Sequence, residues 1–241
     1  MEAKLKGILM LSQGAMAGAF LFLLALQGLP GAVYAEDAPE DAQAAETEAN
    51  YLHGIEPFAG NGSLHAVIEI PAGTNEKWEL TRDGKDFKWD ELDGKPRVVD
   101  YLSYPANYGM VPQTHLDKET GGDGDPLDVI VLGPARARGE VMEVKALGVM
   151  RLLDRGEIDD KIIAAVPDSQ MGRAGSLDDL QRLYPGIQEI LSTWFSHYKG
   201  PGKMSFAGWG SREEALDMIK QSHESYKRLI KPNPDSPGQG H

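Results

Sequence analysis

Three carboxylates, Asp123, Asp125 and Asp128, crowd into six residues of "GGDGDPLDVIVLG" (121–133). At ~4 Å each like-charged pair costs roughly 1 kcal/mol in water and about 4 near a protein surface. A loop tolerates that when it is fully solvated, or when a cation sits between the acids. Solvation fits poorly, because Asp128 runs straight into "VIVLG", an apolar β-forming run that a fold would bury. An EF-hand calcium loop fails on position: the sixth place holds Asp128 instead of glycine and the twelfth Pro134 instead of glutamate. Spacing alone leaves a solvated loop and a metal site both open.

A second acidic connection, "LLDRGEIDDKIIAAVP" (152–167), carries Asp154, Glu157, Asp159, Asp160 and Lys161. Two such connections on one mouth would hold several hard cations. Mg²⁺ suits them, since it binds through a few carboxylates and keeps waters for a phosphate ligand. Lys77, Arg97, Lys161 and Lys199 add cations on ordered segments, and Tyr104, Tyr108 and Tyr198 add hydroxyls. Such an inventory suits a small, densely anionic substrate. Each member also has a plainer reading. Lys77 and Glu79 fit an exposed cross-strand pair, Tyr198 a core residue at a helix end, Lys199 a favourable charge there, and Tyr104 and Tyr108 packing around a turn. Glu157 and Asp160 read as solvated and His197 as structural.

The whole chain narrows the choice. It has 241 residues, 41% hydrophobic, enough for one domain with a real core. A formal charge of −13 disfavours nucleic acid or an anionic membrane as partner. Without cysteine there is no disulfide, thiolate zinc site or cysteine nucleophile, and the six histidines form no HxH or HxxxH pair. Any metal is therefore held by oxygen. Residues 1–35 read as a secretory signal peptide: Lys4 and Lys6, the apolar "AFLFLLAL" (19–26), and a small-residue end closing at Ala35. An uncleaved anchor is the alternative; cleavage would leave a mature form that is not membrane-embedded. Residues 36–50 are acidic and lack bulky side chains, as a disordered spacer does. The Pro/Gly-rich 232–241 reads as a mobile tail, which leaves 51–231 as the folded domain.

The elements that must position the chemistry begin with strands. "LHAVIEIP" (64–71), "KWEL" (77–80), "RVVDYL" (97–102), "LDVIVLG" (127–133), "VMEVKALGVMRLL" (141–153) and "KIIAAVP" (161–167) carry β patterns separated by short turns. Helices follow. Ser176 with Asp179 resembles a capping box; "IQEILSTWFSHY" (187–198) spaces Ile187, Ile190, Leu191, Trp194, Phe195 and Tyr198 helically; Ser211 with Glu214 caps a last helix with Ala215, Leu216, Ile219, Tyr226 and Leu229 inward. The class is α+β, a small antiparallel barrel with two main helices packed outside.

"VIEIP" (67–71), "KWE" (77–79), "YPANYG" (104–109), "GDGDPLDV" (122–129), "LLDRGEIDDK" (152–161) and "HYK" (197–199) resemble, in order, the soluble inorganic pyrophosphatases of family I, over about 64–230. "VPQT" (111–114) and "YPG" (184–186) lean toward its eukaryote-like branch. The resemblance implies a five-stranded OB-like antiparallel barrel and hydrolysis of pyrophosphate to two phosphates with several Mg²⁺ per site. It assigns metal binding to Asp123, Asp128, Asp154 and Asp159. Asp125 would be the general base for the attacking water. Lys77, Arg97, Lys161, Tyr198 and Lys199 would grip the phosphates, while Tyr108, Glu69 and Glu79 would order waters and neighbouring cations. Family members are dimers or hexamers, so a homo-oligomer is expected. The Arg97–Tyr104 spacing is one residue shorter than in bacterial members. Two other readings compete: a phosphate- or cation-binding module without turnover, and a broader phosphohydrolase acting on polyphosphate or nucleotides.

Overall fold

The computed structural model describes residues 50–231. The expected signal peptide, nearly all of the acidic spacer and the C-terminal tail lie outside them. Among the described residues the strands are β1 (Leu64–Ile70), β2 (Trp78–Leu80), β3 (Phe87–Trp89), β4 (Glu91–Leu92), β5 (Lys95–Pro96), β6 (Asn107–Met110), β7 (Asp128–Leu132), β8 (Val141–Asp154), β9 (Glu157–Ile158), β10 (Lys161–Ala165) and β11 (Met204–Gly210). The helices are α1 (Leu177–Leu183), α2 (Ile187–His197) and α3 (Arg212–Ile230).

The main sheet has seven strands, ordered β1-β6-β7-β10-β8-β11, with β9 pairing β8 and the start of β8 pairing β1. This corrects the expected five-stranded, wholly antiparallel arrangement, because β7 and β10 run parallel, with Val129 opposite Ile162 and Leu132 opposite Ala165. Both strands are almost wholly apolar and buried, as parallel strands covered on two faces must be. Alternation sends Val129 and Val131 into one core with Ala215 and Ile219 of α3, and Ile130 and Leu132 into the other with Leu191, Trp194 and Phe195 of α2. Gly109 of β6 lies opposite Ile68, where a Cβ would meet the Val67 carbonyl oxygen at 1.9 Å, so only glycine lets the strands approach.

Among the described residues, the short helix expected after Ser176 (α1) accompanies the two main helices, and their caps follow the sequence in part. Ser211 and Glu214 form the full reciprocal capping box of α3. Ser176 caps α1 through the Asp179 amide, but the Asp179 carboxylate accepts from Gly175 instead. Ile190 and Leu229, expected inward, are exposed at 54% and 62%. Residues 97–102, expected as a strand, pair only locally with residues 75–77 around the Glu76–Val98 bridge, with Val99 buried and Tyr101 and Leu102 exposed. No described helix is long and apolar enough to cross a membrane.

Candidate active site

The parallel pairing of β7 and β10 builds the site's centre. It places both strand beginnings at one end of the sheet, so Asp128, first in β7, lies beside Lys161, first in β10. The Lys161 ammonium stands 2.5 Å from Asp128 Oδ2 and 2.6 Å from Asp159 Oδ1. Lys161 is 2% exposed. Burial alone would lower its pKa, but Asp128 and Asp159 raise it well above that of an ordinary lysine, so it stays charged. Asp154, which ends β8, accepts from Lys199 Nζ at 2.8 Å, and Lys199 lies 4.0 Å from Asp159 Oδ2. The two acidic connections therefore converge.

The phenols and the remaining cations surround this centre. Tyr104, Tyr108, Trp194, Phe195 and Tyr198 form one ring cluster, with centroids 4.6 Å apart for Tyr104–Trp194 and 4.7 Å for Trp194–Tyr198. The rings of these tyrosines join the core, and Lys77 and Lys161 lie 5.6 and 6.0 Å from the Tyr108 ring. Burial pushes the Tyr104, Tyr108 and Tyr198 hydroxyls above the usual phenol range, so they remain protonated. Lys77 pairs with Glu79 at 3.2 Å, as residues two apart on a strand do. Burial opposes the Lys77 charge, but Tyr104, Glu69, Glu79 and Asp128 outweigh it and raise its pKa. Arg97 pairs with Asp90 at 2.9 Å, and its charge also acts on Tyr104 and Tyr198.

Glu69, on β1, accepts the Leu80 amide at 2.8 Å. Burial pushes its carboxyl up to about 7, against the pull of Lys77 and the Leu80 amide. Asp123 and Asp125 sit on the exposed loop outside the Lys161 ion pairs. Gly124 turns the chain between them at φ 90°, and Asp123 Oδ1 accepts the Asp125 amide at 2.9 Å. Partial burial raises the Asp125 pKa, followed by repulsion from Asp123, Asp128 and Glu79, with Arg82 opposing. His197 bonds the Thr193 carbonyl, a structural role as expected. Asp160, read as solvated, is instead half-buried and accepts the Leu152 amide at 3.0 Å, bracing β8.

Sequence reasoning missed Thr114. Its buried hydroxyl donates to the Val111 carbonyl and accepts the Leu127 amide at 2.9 Å, closing the base of the acidic loop. A threonine inside "VPQT" carries no periodic signal that distinguishes it from a surface residue.

The donor set fits a hard divalent cation. Asp154 Oδ1 and Asp159 Oδ2 are buried without a hydrogen-bond partner, an arrangement that costs free energy unless a cation answers it. Among the described residues no three His, Asp or Glu side chains already form a cage. Mg²⁺ needs none, since one or two carboxylates, waters and substrate oxygens complete its shell.

A family model for inorganic pyrophosphatase matches residues 66–227. The chain belongs to the inorganic pyrophosphatases. Among curated members it is 37% identical to the mouse inorganic pyrophosphatase over 208 residues, covering 78% of this chain and 72% of that one. It is 38% identical to the human enzyme over 200 residues, covering 74% and 69%. Among solved pyrophosphatases, that of Schistosoma japonicum superposes with a TM-score of 0.71 at 30% identity, covering 77% of this chain and 75% of that one. The N-terminally truncated vacuolar soluble pyrophosphatase of Trypanosoma cruzi, solved in complex with PPi, superposes with a TM-score of 0.71 at 25% identity, covering 75% and 79%. The matched span contains every site residue described above, and pyrophosphate hydrolysis is the activity of this family.

Proposed function

We propose that this chain hydrolyses pyrophosphate to two orthophosphates with Mg²⁺ as activating ion, and that it does so as an exported protein. The observation that carries the chemistry is the convergence of Asp128, Asp154 and Asp159 on two lysines, with two buried carboxylate oxygens left without a hydrogen bond. Asp123, Asp128, Asp154 and Asp159 would hold the ions. Mg²⁺, when bound, lowers the pKa of a coordinated water and neutralises phosphate charge.

The chain's own residues do the rest. Lys77, Arg97, Lys161 and Lys199 bind the phosphates, and Arg97, Lys161 and Lys199 offset the charge that develops as the bridging oxygen departs. Tyr198 and Tyr108, held protonated by burial, donate hydrogen bonds and orient substrate and water. Asp125 accepts the proton of the attacking water at its carboxylate. Partial burial, followed by its neighbours Asp123, Asp128 and Glu79, raises its proton affinity, which favours its acting as a base. Glu69 and Glu79 sit beside Lys77 and order the phosphate-binding cations.

Phosphate release from pyrophosphate, ATP and tripolyphosphate, each with Mg²⁺ and with EDTA, tests the reading. Rapid Mg²⁺-dependent release from pyrophosphate alone supports it. Release from all three favours a broader phosphohydrolase, binding without release favours a phosphate-binding module, and full activity in EDTA overturns the metal's role. Export rests on the N-terminal pattern ending at Ala35. Homo-oligomerisation rests on the family and is tested by sedimentation.

A further inference from the structure

The β2–β3 hairpin lies outside the main sheet, so its ladder does not determine where Lys77 and Glu79 stand relative to Asp128 and Tyr108. Trp78 lies between them in sequence and projects to the opposite side of the strand. Its ring stacks on Trp89, centroids 5.3 Å apart at 23°. The Arg138 guanidinium lies 3.7 Å from the centroid of the Trp78 ring. Arg138 comes from the connection between β7 and β8, and its Nε donates to the Glu69 carbonyl of β1 at 3.1 Å. Glu76 completes the join, accepting Trp78 Nε1 at 3.1 Å with Arg138 Nη2 at 3.7 Å. One planar cation thus ties the main sheet to the segment that carries Lys77 and Glu79, beside the bond from the Leu80 amide to the Glu69 carboxylate.

We propose that Arg138 is a positioning residue for the pyrophosphate site: held on β1 and stacked on Trp78, it sets where Lys77 and Glu79 meet the substrate. The inference rests on the pyrophosphatase reading above. Arginine suits the task because its guanidinium can stack on an indole and donate in its own plane at once, whereas a lysine ammonium offers a point charge without a plane. The ion pair to Glu76 is long, so the stack and the Glu69 bond carry the join. Lys77 binds phosphate in ground and transition states alike, so displacing it raises KM more than it lowers kcat.

The test is a kinetic cycle on the full chain with Mg²⁺ and pyrophosphate, using Arg138→Met, Arg138→Lys, Lys77→Met and the double variant Arg138→Met/Lys77→Met. Arg138→Met is expected to raise KM roughly tenfold, with kcat within about threefold of wild type. Arg138→Lys is expected to restore little of that loss. In the Lys77→Met background, Arg138→Met should change KM less than about twofold, because residues acting through one another are non-additive. Full additivity, complete rescue by Arg138→Lys, or a lowered melting temperature with unchanged KM would each overturn the positioning role. If Arg138→Met does not fold, Trp78→Leu removes the other half of the stack and is held to the same outcomes. Wild-type protein that releases no phosphate refutes the function itself; active wild type with an additive cycle refutes only the role of Arg138.

Discussion

Asp125 and Asp128 are three residues apart yet sit in different surroundings. Asp128 is ion-paired to a buried lysine, whereas Asp125 stands exposed with its pKa raised by partial burial and then by Asp123, Asp128 and Glu79. Asp128→Asn removes charge from the proposed ion site, so Mg²⁺ affinity and turnover should fall together. Asp125→Asn is nearly isosteric but cannot take a proton, and turnover should drop about 10²–10⁴-fold at neutral pH. Its Mg²⁺ affinity should stay close to wild type, and its deficit should narrow as pH rises and hydroxide becomes available. Calorimetric Mg²⁺ titrations and pH–rate profiles check this; equal loss of Mg²⁺ binding in both variants would remove Asp125 from the base role. Glu69 gives a stability prediction in the absence of divalent ions. Below 4.5 its carboxyl is neutral folded or unfolded; between 4.5 and about 7 only the unfolded chain ionises. Stability is therefore full below 4.5, declines across that window, and stays reduced above it. Glu69→Gln keeps an acceptor for the Leu80 amide, so it should flatten the decline and gain on the order of 3 kcal/mol at pH 8. Chemical denaturation of both proteins at pH 4 and pH 8 gives the difference; parallel pH dependences would refute it.

At the scale of elements, the turn after β1 and the loop after β7 are joined by one buried side chain at the start of β6. Asn107 donates to the Val131 and Pro134 carbonyls at 3.2 and 2.9 Å and accepts the Ala72 and Arg136 amides at 3.1 and 2.8 Å. An amide that uses its donors and acceptors on three chain segments is costly to remove, because each partner is left unpaired. Asn107→Ala should destabilise by roughly 2–4 kcal/mol, and the rate should fall only as far as the folded fraction does. Thermal melts beside specific activity at low temperature test it. Periodicity placed β1, β8 and α3, although β1 and the middle of β8 are buried on both faces. It overextended residues 97–102, whose apolar side chains Val98, Tyr101 and Leu102 face solvent, and it passed over β11, where "SFAGWG" mixes small and aromatic residues without alternation.

For the whole molecule, the proposed export makes a prediction about the ends of the chain. Native protein should begin at Glu36 and occur outside the cytoplasmic membrane. N-terminal sequencing after cell fractionation tests this, and a soluble cytoplasmic form starting at Met1 or Glu2 would contradict it. The acidic charge of the whole chain is compatible with a strongly anionic substrate only because the site itself concentrates Lys77, Arg97, Lys161 and Lys199. Local field, not net charge, decides which ligand is attracted at this range.

The sequence by itself determined the oxygen-only donor set, the two acidic connections, the cations and phenols, and the family these motifs spell. Those are properties of residue type and spacing, which are local. What only the tertiary structure decided is the meeting of distant parts. The parallel register of β7 and β10 sets Asp128 against Lys161, and burial raises Glu69 to about 7. The Arg138 stack carries Lys77 and Glu79 into place. None of these is written in a local pattern. Parallel pairing joins strands far apart in the chain, a pKa depends on everything packed around the group, and a stacked cation depends on a loop closing over a strand that the sheet itself does not hold.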